Sequence, residues 1–532
     1  MPKQKSFFKG ALILTLAGVL GKMLGALYRI PFNRIVGEKG AALYGLSYSV
    51  YSILFALSTA GIPLAVSKMV AVYEQRREHG ESLRLLRLTF VLLTCIGLSV
   101  ALFVFFKAEW IAVTVFHEPH AALSLKALSP AMLFSCLMAV FRGYFQGHQQ
   151  MIPTALSQIL EQFFRVGTIF LAIFVLAGRP LEVVVAGASF GSAVGEIIAF
   201  VFLLCVFGVW FRRHHPVNEV AITQPDTNGQ MIRQLVYYAV PISIGALVLP
   251  IMQFIDSTLI IARLEVSGMI HGDALVQYGF LASYAMPIIN LPFIITTAVS
   301  ASLVPTIADL YEQKDFSGVD HNIRTSLMLT IVLMLPAAAG LATLGTPICK
   351  LLYNNESAGV ALSYVAFTVL CVGVYQVSAG ALQGLGRVLV PMTSLIIGAA
   401  VKAVLTYILP SIPGADVRSA AMATVIGFGV AMLHNIYQLG RIVGWGWFSL
   451  KQHVLKPVCA TVVMSVCVLF IKSLFVNPIA HSFQVTALGI VVGVVVYFAV
   501  LFALGGVDRD TLMKLPKIGP KLAAKWKQEE VQ

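Results

Sequence analysis

The sequence predicts an all-α, polytopic membrane protein of fourteen transmembrane helices, built as two parallel six-helix bundles followed by a C-terminal helix pair. Three observations predict it. Of 532 residues, 58% are hydrophobic and 11% are Asp, Glu, Lys or Arg, and the mean hydropathy is +0.86; soluble domains carry about 25% charge. The apolar residues fall in runs long enough for a helix of ~20 residues to span a bilayer, without the alternation of a barrel strand. The first twelve runs fall into two sets of six that share landmarks in the same order.

Hydropathy places the helices at about 10–34, 41–66, 86–106, 124–146, 154–177, 183–211, 231–262, 276–304, 323–346, 358–384, 389–410, 417–440, 452–474 and 484–505. The N-terminal MPKQKSFFKG followed by ALILTLAGVLG imitates a secretory signal. The apolar span runs on through Lys22 to Arg29 and Pro31 with no small-residue cleavage site, so it reads as a retained first helix. The most polar internal linker, RRHHPVNEVAITQPDTNGQ at 212–230, separates the two sets of six.

Tyr44-Gly45 opens helix 2 and Tyr278-Gly279 opens helix 8. Tyr73-Glu74-Gln75-Arg76 follows the one, and Tyr311-Glu312-Gln313-Lys314 the other. Gln146-Gly147 precedes Pro153 as Gln383-Gly384 precedes Pro391, and Arg165 and Lys402 then stand 237 residues apart. Four matches at offsets of 234 to 238 indicate an internal duplication. Six spans per copy make the copies parallel repeats about an axis along the membrane normal.

The expected domains are therefore 1–215 (first bundle), 229–440 (second bundle), 451–506 (helices 13 and 14) and 507–532 (a basic cytoplasmic tail). The tail interleaves six Lys and Arg with apolar residues. It reads either as an amphipathic piece on the anionic inner leaflet or as a solvated segment.

The net charge of +13 follows from topology rather than from a nucleic-acid partner. With the N-terminus inside, and residues at span ends given to the nearer loop, inside segments hold 24 of the 37 Lys and Arg. Outside segments hold 9, and four (Lys22, Arg29, Arg165, Lys402) lie within spans. This bias puts both termini in the cytoplasm.

The seven Cys are scattered without a CxxC pair, so neither a disulfide framework nor a metal site is expected. Gly187-Ala188-Ser189-Phe190-Gly191 imitates a hydrolase elbow but sits in an apolar helix, where small residues serve packing. His117-Glu118-Pro119-His120 lacks the spacing of a helical zinc motif and reads as an exterior loop. No Walker A sequence, dinucleotide-binding glycine set or Asp-rich metal motif occurs, and no enzymatic activity is expected.

Charge at membrane depth is costly and is kept where it faces a cavity or a partner. Lys22 and Arg29 lie seven residues apart on one helix face, which Gly18 and Gly25 leave open. They form a cationic stripe suited to an anionic ligand. For Lys22 the competing reading is a structural pair with Glu196 or Asp256. Glu161 and Arg165, four apart, are expected to pair with each other. Lys402 is expected to be structural and to snorkel. Asp256 and Glu196 are candidates for gating or ion coupling, with an Arg29–Asp256 contact as an outer gate. Pro63, Pro241, Pro250, Pro287 and Pro292 are candidate hinges in broken central helices, and Asn290 is a candidate sugar-binding group.

Lys9 to Gly37, KGALILTLAGVLGKMLGALYRIPFNRIVG, resembles the start of polysaccharide-biosynthesis and stage V sporulation protein B-like transporters. Ala60 to Ala71, AGIPLAVSKMVA, is similar to that group's second helix. On these motifs the chain resembles the multidrug/oligosaccharidyl-lipid/polysaccharide (MOP) exporter superfamily, which includes the MurJ-type lipid II flippases. The resemblance implies a V-shaped, MATE/MurJ-like pair of bundles working by alternating access. It implies a cationic cavity for the sugar–diphosphate head of a polyprenyl lipid, with helices 13 and 14 flanking a groove for its tail. Lys22 matches a basic cavity residue of the family, and Arg29 falls near a second, out of strict register. The family's helix 2 basic residue is absent, with Phe55 and Ala56 in its place. Lys68 is the residue left to substitute.

The expected function is thus a flippase moving an undecaprenyl-diphosphate-linked cell-wall precursor, lipid II foremost, from inner to outer leaflet of the bacterial cytoplasmic membrane. The alternatives are a multidrug/cation antiporter of the same superfamily, or a flippase for another lipid-linked polysaccharide unit. A glycan polymerase or ligase would need a large exterior loop, and the expected exterior loops are short. No cofactor is expected; coupling would be to the membrane potential or to Na⁺ or H⁺. The expected partners are the polyprenyl-diphosphate-linked glycan, membrane lipids and cell-wall synthesis proteins.

Overall fold

The computed structural model describes residues 17–21, 23–59, 61–213, 226–446 and 454–505. Lys22 and the basic tail 507–532 lie outside the described residues.

Helical residues from 17 lead into α1 (Arg29–Thr59), α2 (Gly61–Gln75) and α3 (His79–Trp110). A π turn (Ile111–Val115) and a 3-10 turn (Pro119–Ala121) lead on to α4 (Ala122–Gly147), α5 (Met151–Val175), α6 (Leu181–Arg213) and α7 (Asn228–Val266). Next come α8 (His271–Gly279), a π segment (Phe280–Ala285), α9 (Met286–Ile289), α10 (Phe293–Glu312) and α11 (Phe316–Tyr353). The chain continues through α12 (Ala358–Val365), α13 (Thr368–Gly384), α14 (Leu389–Ile408), α15 (Val417–Val443), α16 (Lys456–Leu474) and α17 (Ser482–Ala503).

Among the described residues, twelve helices are long and apolar enough to cross a membrane, or thirteen when the pair α12 and α13, bent by 41°, counts as one. Their ends carry local stop and start signals. Asp315 caps α11, its carboxylate accepting the Gly318 N–H at 2.9 Å, and Asp416 caps α15 by accepting the Arg418 N–H at 2.9 Å. Asn354, in the left-handed conformation, ends α11.

The continuous stretch Ala17–Gln75 is not one straight rod. Tyr28 and Tyr44 are 16 residues apart, which is ~24 Å along a straight helix, yet their hydroxyls are 3.0 Å apart. The chain folds back between them at Gly37, whose φ of 71° is accessible to glycine at no steric cost. Pro63, one of the expected hinges, is buried near the start of α2.

Two of the other expected hinges behave differently. Pro241 and Pro250 lie inside α7 without ending it. Pro287 opens α9 and Pro292 is the N-cap of α10, so the expected helix 8 is broken there.

The described chain divides into two compact units. One runs to Glu265 and resumes over Met269–Ser283; the other holds Val266–Gly268 and everything from Tyr284 on. The same packing recurs in each. In the first, α4 lies so close to α2 that a Cβ on Gly143 would meet the Pro63 carbonyl oxygen at 2.7 Å. One on Gly147 would meet the Val70 side chain at 2.6 Å. In the second, α13 meets α10 in the same way. A Cβ on Gly380 would stand 3.0 Å from the Ser300 carbonyl oxygen, and one on Gly384 would stand 2.8 Å from the Ile307 side chain. Each partner in the first unit has its counterpart 237 residues later. Small residues four apart allow this approach without a driving force from water. A Gly143→Leu substitution is expected to destabilise by at least ~1–3 kcal/mol through overpacking, read as a lowered thermal midpoint in detergent; an unchanged midpoint would contradict the packing described.

Candidate functional site

The fold-back at Gly37 lays the Arg29 end of α1 beside its own middle. The Arg29 guanidinium carbon stands 5.9 Å from the Tyr44 ring centroid and 5.4 Å from that of Tyr48. Arg29 is half-buried, and among the described residues no carboxylate pairs with it. Tyr44, Tyr48, Tyr51 and Phe55 follow at spacings of four, three and four, so they share one helix face. Their rings succeed one another at centroid distances of 5.9, 5.4 and 5.4 Å. Phe32 closes on Tyr44 at 4.9 Å. The result is an aromatic rail with Arg29 at one end.

At the other end lies a buried ionic network. Arg142 donates from Nη2 to Glu161 at 2.9 Å and from Nε to the Ser157 hydroxyl at 3.0 Å. Arg165 donates to Glu161 at 3.1 Å and to the Tyr51 hydroxyl at 3.0 Å. Tyr51 in turn donates to Glu196, which stands 3.7 Å from Arg165. None of the four charged residues is more than 4% exposed, so two cations and two anions offset each other inside the first unit. The expected Glu161–Arg165 pair is present. Arg142 was not among the expected buried cations, since it stands near the end of its apolar run and reads as a loop charge. Glu196, the other candidate for coupling, is fully buried in this network.

Asp256, on α7, is half-buried. Arg29 and Asp256, the expected outer-gate pair, both lie within electrostatic range of Tyr278. Helix α7 and the segment after it meet α1 through small polar groups. The Ser49 and Ser257 hydroxyls are 2.9 Å apart, Asn33 donates to the Ser283 carbonyl at 2.7 Å, and Ser283 donates to the Ala41 carbonyl at 2.6 Å.

Lys68 does not join Arg29. It lies 31 residues past the fold-back at Gly37, ~46 Å of helix at 1.5 Å per residue. Its ammonium sits 3.9 Å from the Tyr238 ring centroid. At that end Tyr73 donates to Asp226 at 2.8 Å, and Arg84 reaches the Asn228 side chain at 2.6 Å and the Asp226 carbonyl at 2.9 Å. Asn290 is exposed on the turn between α9 and α10, in the second unit. Lys402 is 3% exposed, so it is buried rather than snorkelling.

The polysaccharide biosynthesis protein family matches over residues 7–311, more than half the chain. The chain belongs to that family. A second family, MatE, matches residues 281–408. Among relatives in Bacillus subtilis (strain 168), it is 30% identical to the uncharacterized membrane protein YabM, over 88% of this chain and 86% of that one. It is 27% identical to stage V sporulation protein B (98% and 99%) and 26% identical to lipid II flippase MurJ (96% and 97%). Among solved structures, lipid II flippase MurJ in an inward closed conformation matches with a TM-score of 0.67 at 15% identity, over 92% of this chain and 98% of that one. The protein is therefore a multi-span membrane transporter of the MOP superfamily, with a MATE/MurJ-like helical fold.

Proposed function

We propose that this protein is a flippase for a polyprenyl-diphosphate-linked glycan, lipid II foremost, which it carries from the cytoplasmic to the outer leaflet by alternating access. One observation carries the reading. Arg29 stands at the head of the aromatic rail without a carboxylate partner among the described residues, so its guanidinium keeps the donors that fit a phosphate bidentately. Lys22, seven residues earlier on the same face, would supply a second cation. Relatives named as a lipid II flippase and as a stage V sporulation protein support the substrate class.

In this reading Ala17–Gln75 supplies two crossings and the bent pair α12–α13 one, which brings the total to fourteen. An even number of crossings keeps both termini on one side, and the bias of Lys and Arg favours the cytoplasm for them. Asp256 and Glu196 remain the carboxylates for coupling. The MatE match raises a cation antiporter as the second reading. That function would place a carboxylate, not an unpaired guanidinium, at the ligand.

The membrane potential is the proposed energy source. It is worth ~2.3 kcal/mol per charge per 100 mV, and an inside-negative potential favours outward movement of an anionic headgroup. Flipping in proteoliposomes is expected to accelerate when that potential is imposed; indifference to it would rule the energy source out. Depletion of the protein followed by extraction of lipid-linked intermediates names the substrate. Accumulation of lipid II on the inner leaflet is the expected result, and unchanged levels of every such intermediate would sink the flippase reading.

A further inference from the structure

On the face where the chain turns at Gly37, three residues from separate segments converge. Glu118 precedes the 3-10 turn Pro119–Ala121, Glu265 is near the end of α7, and His271 opens α8. His271 Nε2 lies 3.0 Å from the Glu118 carboxylate, 153 residues away, while Nδ1 makes a short contact with Glu265. Glu118 is 3% exposed and fixed by the His120 backbone N–H, which donates to its other oxygen at 3.1 Å.

A neutral imidazole has one N–H donor and one acceptor nitrogen. Here both ring nitrogens face carboxylate oxygens, which only accept. The arrangement is satisfied in full when the ring is an imidazolium donating to both. The other charged groups nearby are Lys39 of α1, whose ammonium comes within 3.8 Å of a Cβ placed on Gly272, Asp273 on the same helix as His271, and, on the latched segment, His117 and His120, the latter 2.6 Å from Glu182 of α6. Phe116 and Phe254 meet edge-on at 6.0 Å and continue the contact between the two segments. Among the described residues no three His, Cys, Asp or Glu side chains are placed to ligate a metal, so this trio is not a metal site.

We propose that His271 is a proton-binding site that latches residues 116–121 to the α7–α8 turn. The contact holds while the imidazole carries its proton and is released when the proton leaves to solvent. With the topology proposed above, this face is extracellular and the latch reads external pH.

The direction of titration agrees. Partial burial works against the charged ring, but the hydrogen bonds it donates to Glu265 and Glu118 outweigh it and hold the His271 pKa above its ordinary value. The contact is therefore present in full below the ordinary histidine pKa of about 6.5 and is lost as pH rises through the raised one.

The test uses the full chain in lipid nanodiscs and two readouts that do not involve transport, so its failure leaves the flippase reading standing, and the reverse. In ¹³C-labelled protein the His271 resonance, assigned by its loss in His271→Gln, is expected to titrate above about 6.5. Amide exchange, corrected for its intrinsic pH dependence, is expected to be ~10-fold faster over 116–121 and 267–273 in His271→Gln than in the wild type near pH 6. The two are expected to converge near pH 9. His271→Arg, a permanent cation, is expected to keep its protection at both pH values, and it controls for a variant that merely fails to fold. A resonance titrating at or below the ordinary value, equal exchange in wild type and His271→Gln at the lower pH, or an arginine variant as pH-sensitive as the wild type would each overturn the proposal.

Discussion

Arg29→Ala is expected to cut flipping in proteoliposomes by roughly 10- to 100-fold while leaving the protein folded. A hydrogen bond to a charged group contributes about 1.5–3 kcal/mol, and each 1.4 kcal/mol is about a factor of ten. The guanidinium is half-buried over Tyr44 and Tyr48 and pairs with no carboxylate among the described residues. Truncating it therefore strands no buried anion, and the thermal midpoint should barely move. Arg29→Lys is expected to fall between the two, because a lysine keeps the charge but loses the planar fork and the stacking. Wild-type flipping by the alanine variant would remove Arg29 from the substrate site.

Glu161→Ala is expected to act in the opposite way, on stability first. Glu161 is the anion between Arg142 and Arg165, at 2.9 and 3.1 Å, and all three are buried. Removing it leaves two guanidinium groups in the interior with Glu196 as the one remaining carboxylate of the network. Breaking a buried pair costs about 3–5 kcal/mol, most of it the cost of an uncompensated charge. The thermal midpoint in detergent should fall by many degrees. Adding Arg142→Met, which removes one of the stranded cations and its hydrogen bond to Ser157, should recover part of the loss. A single variant as stable as the wild type would mean that the network is hydrated rather than sealed.

The apolar runs made most of the fold readable in advance, because a span must be continuous in sequence to satisfy its backbone in lipid. The Glu161–Arg165 pair was readable for a similar reason, being one helical turn apart. What escaped depends on the path of the chain in three dimensions. Arg142 looks like a loop charge until Glu161 and Ser157 are brought beside it from another helix. Lys68 was legible as the basic residue at the inner end of helix 2, but not its seat over the Tyr238 ring, which comes from another helix. Lys402 had the length to reach the interface, yet it is enclosed. The carboxylate pair around His271 was invisible in the same way, since Glu118 and His271 belong to loops 153 residues apart.

The matched glycine contacts have a practical corollary. Pro63 to Gly143 and Ser300 to Gly380 are both intervals of 80 residues, so each half encloses the same length of polypeptide between two points of backbone touching. Whatever connectors and exterior turns have diverged between the halves, they have done so at constant total length. The two intervals are therefore interchangeable modules in length, and a chimaera that swaps them closes both contacts with no residue to add or trim.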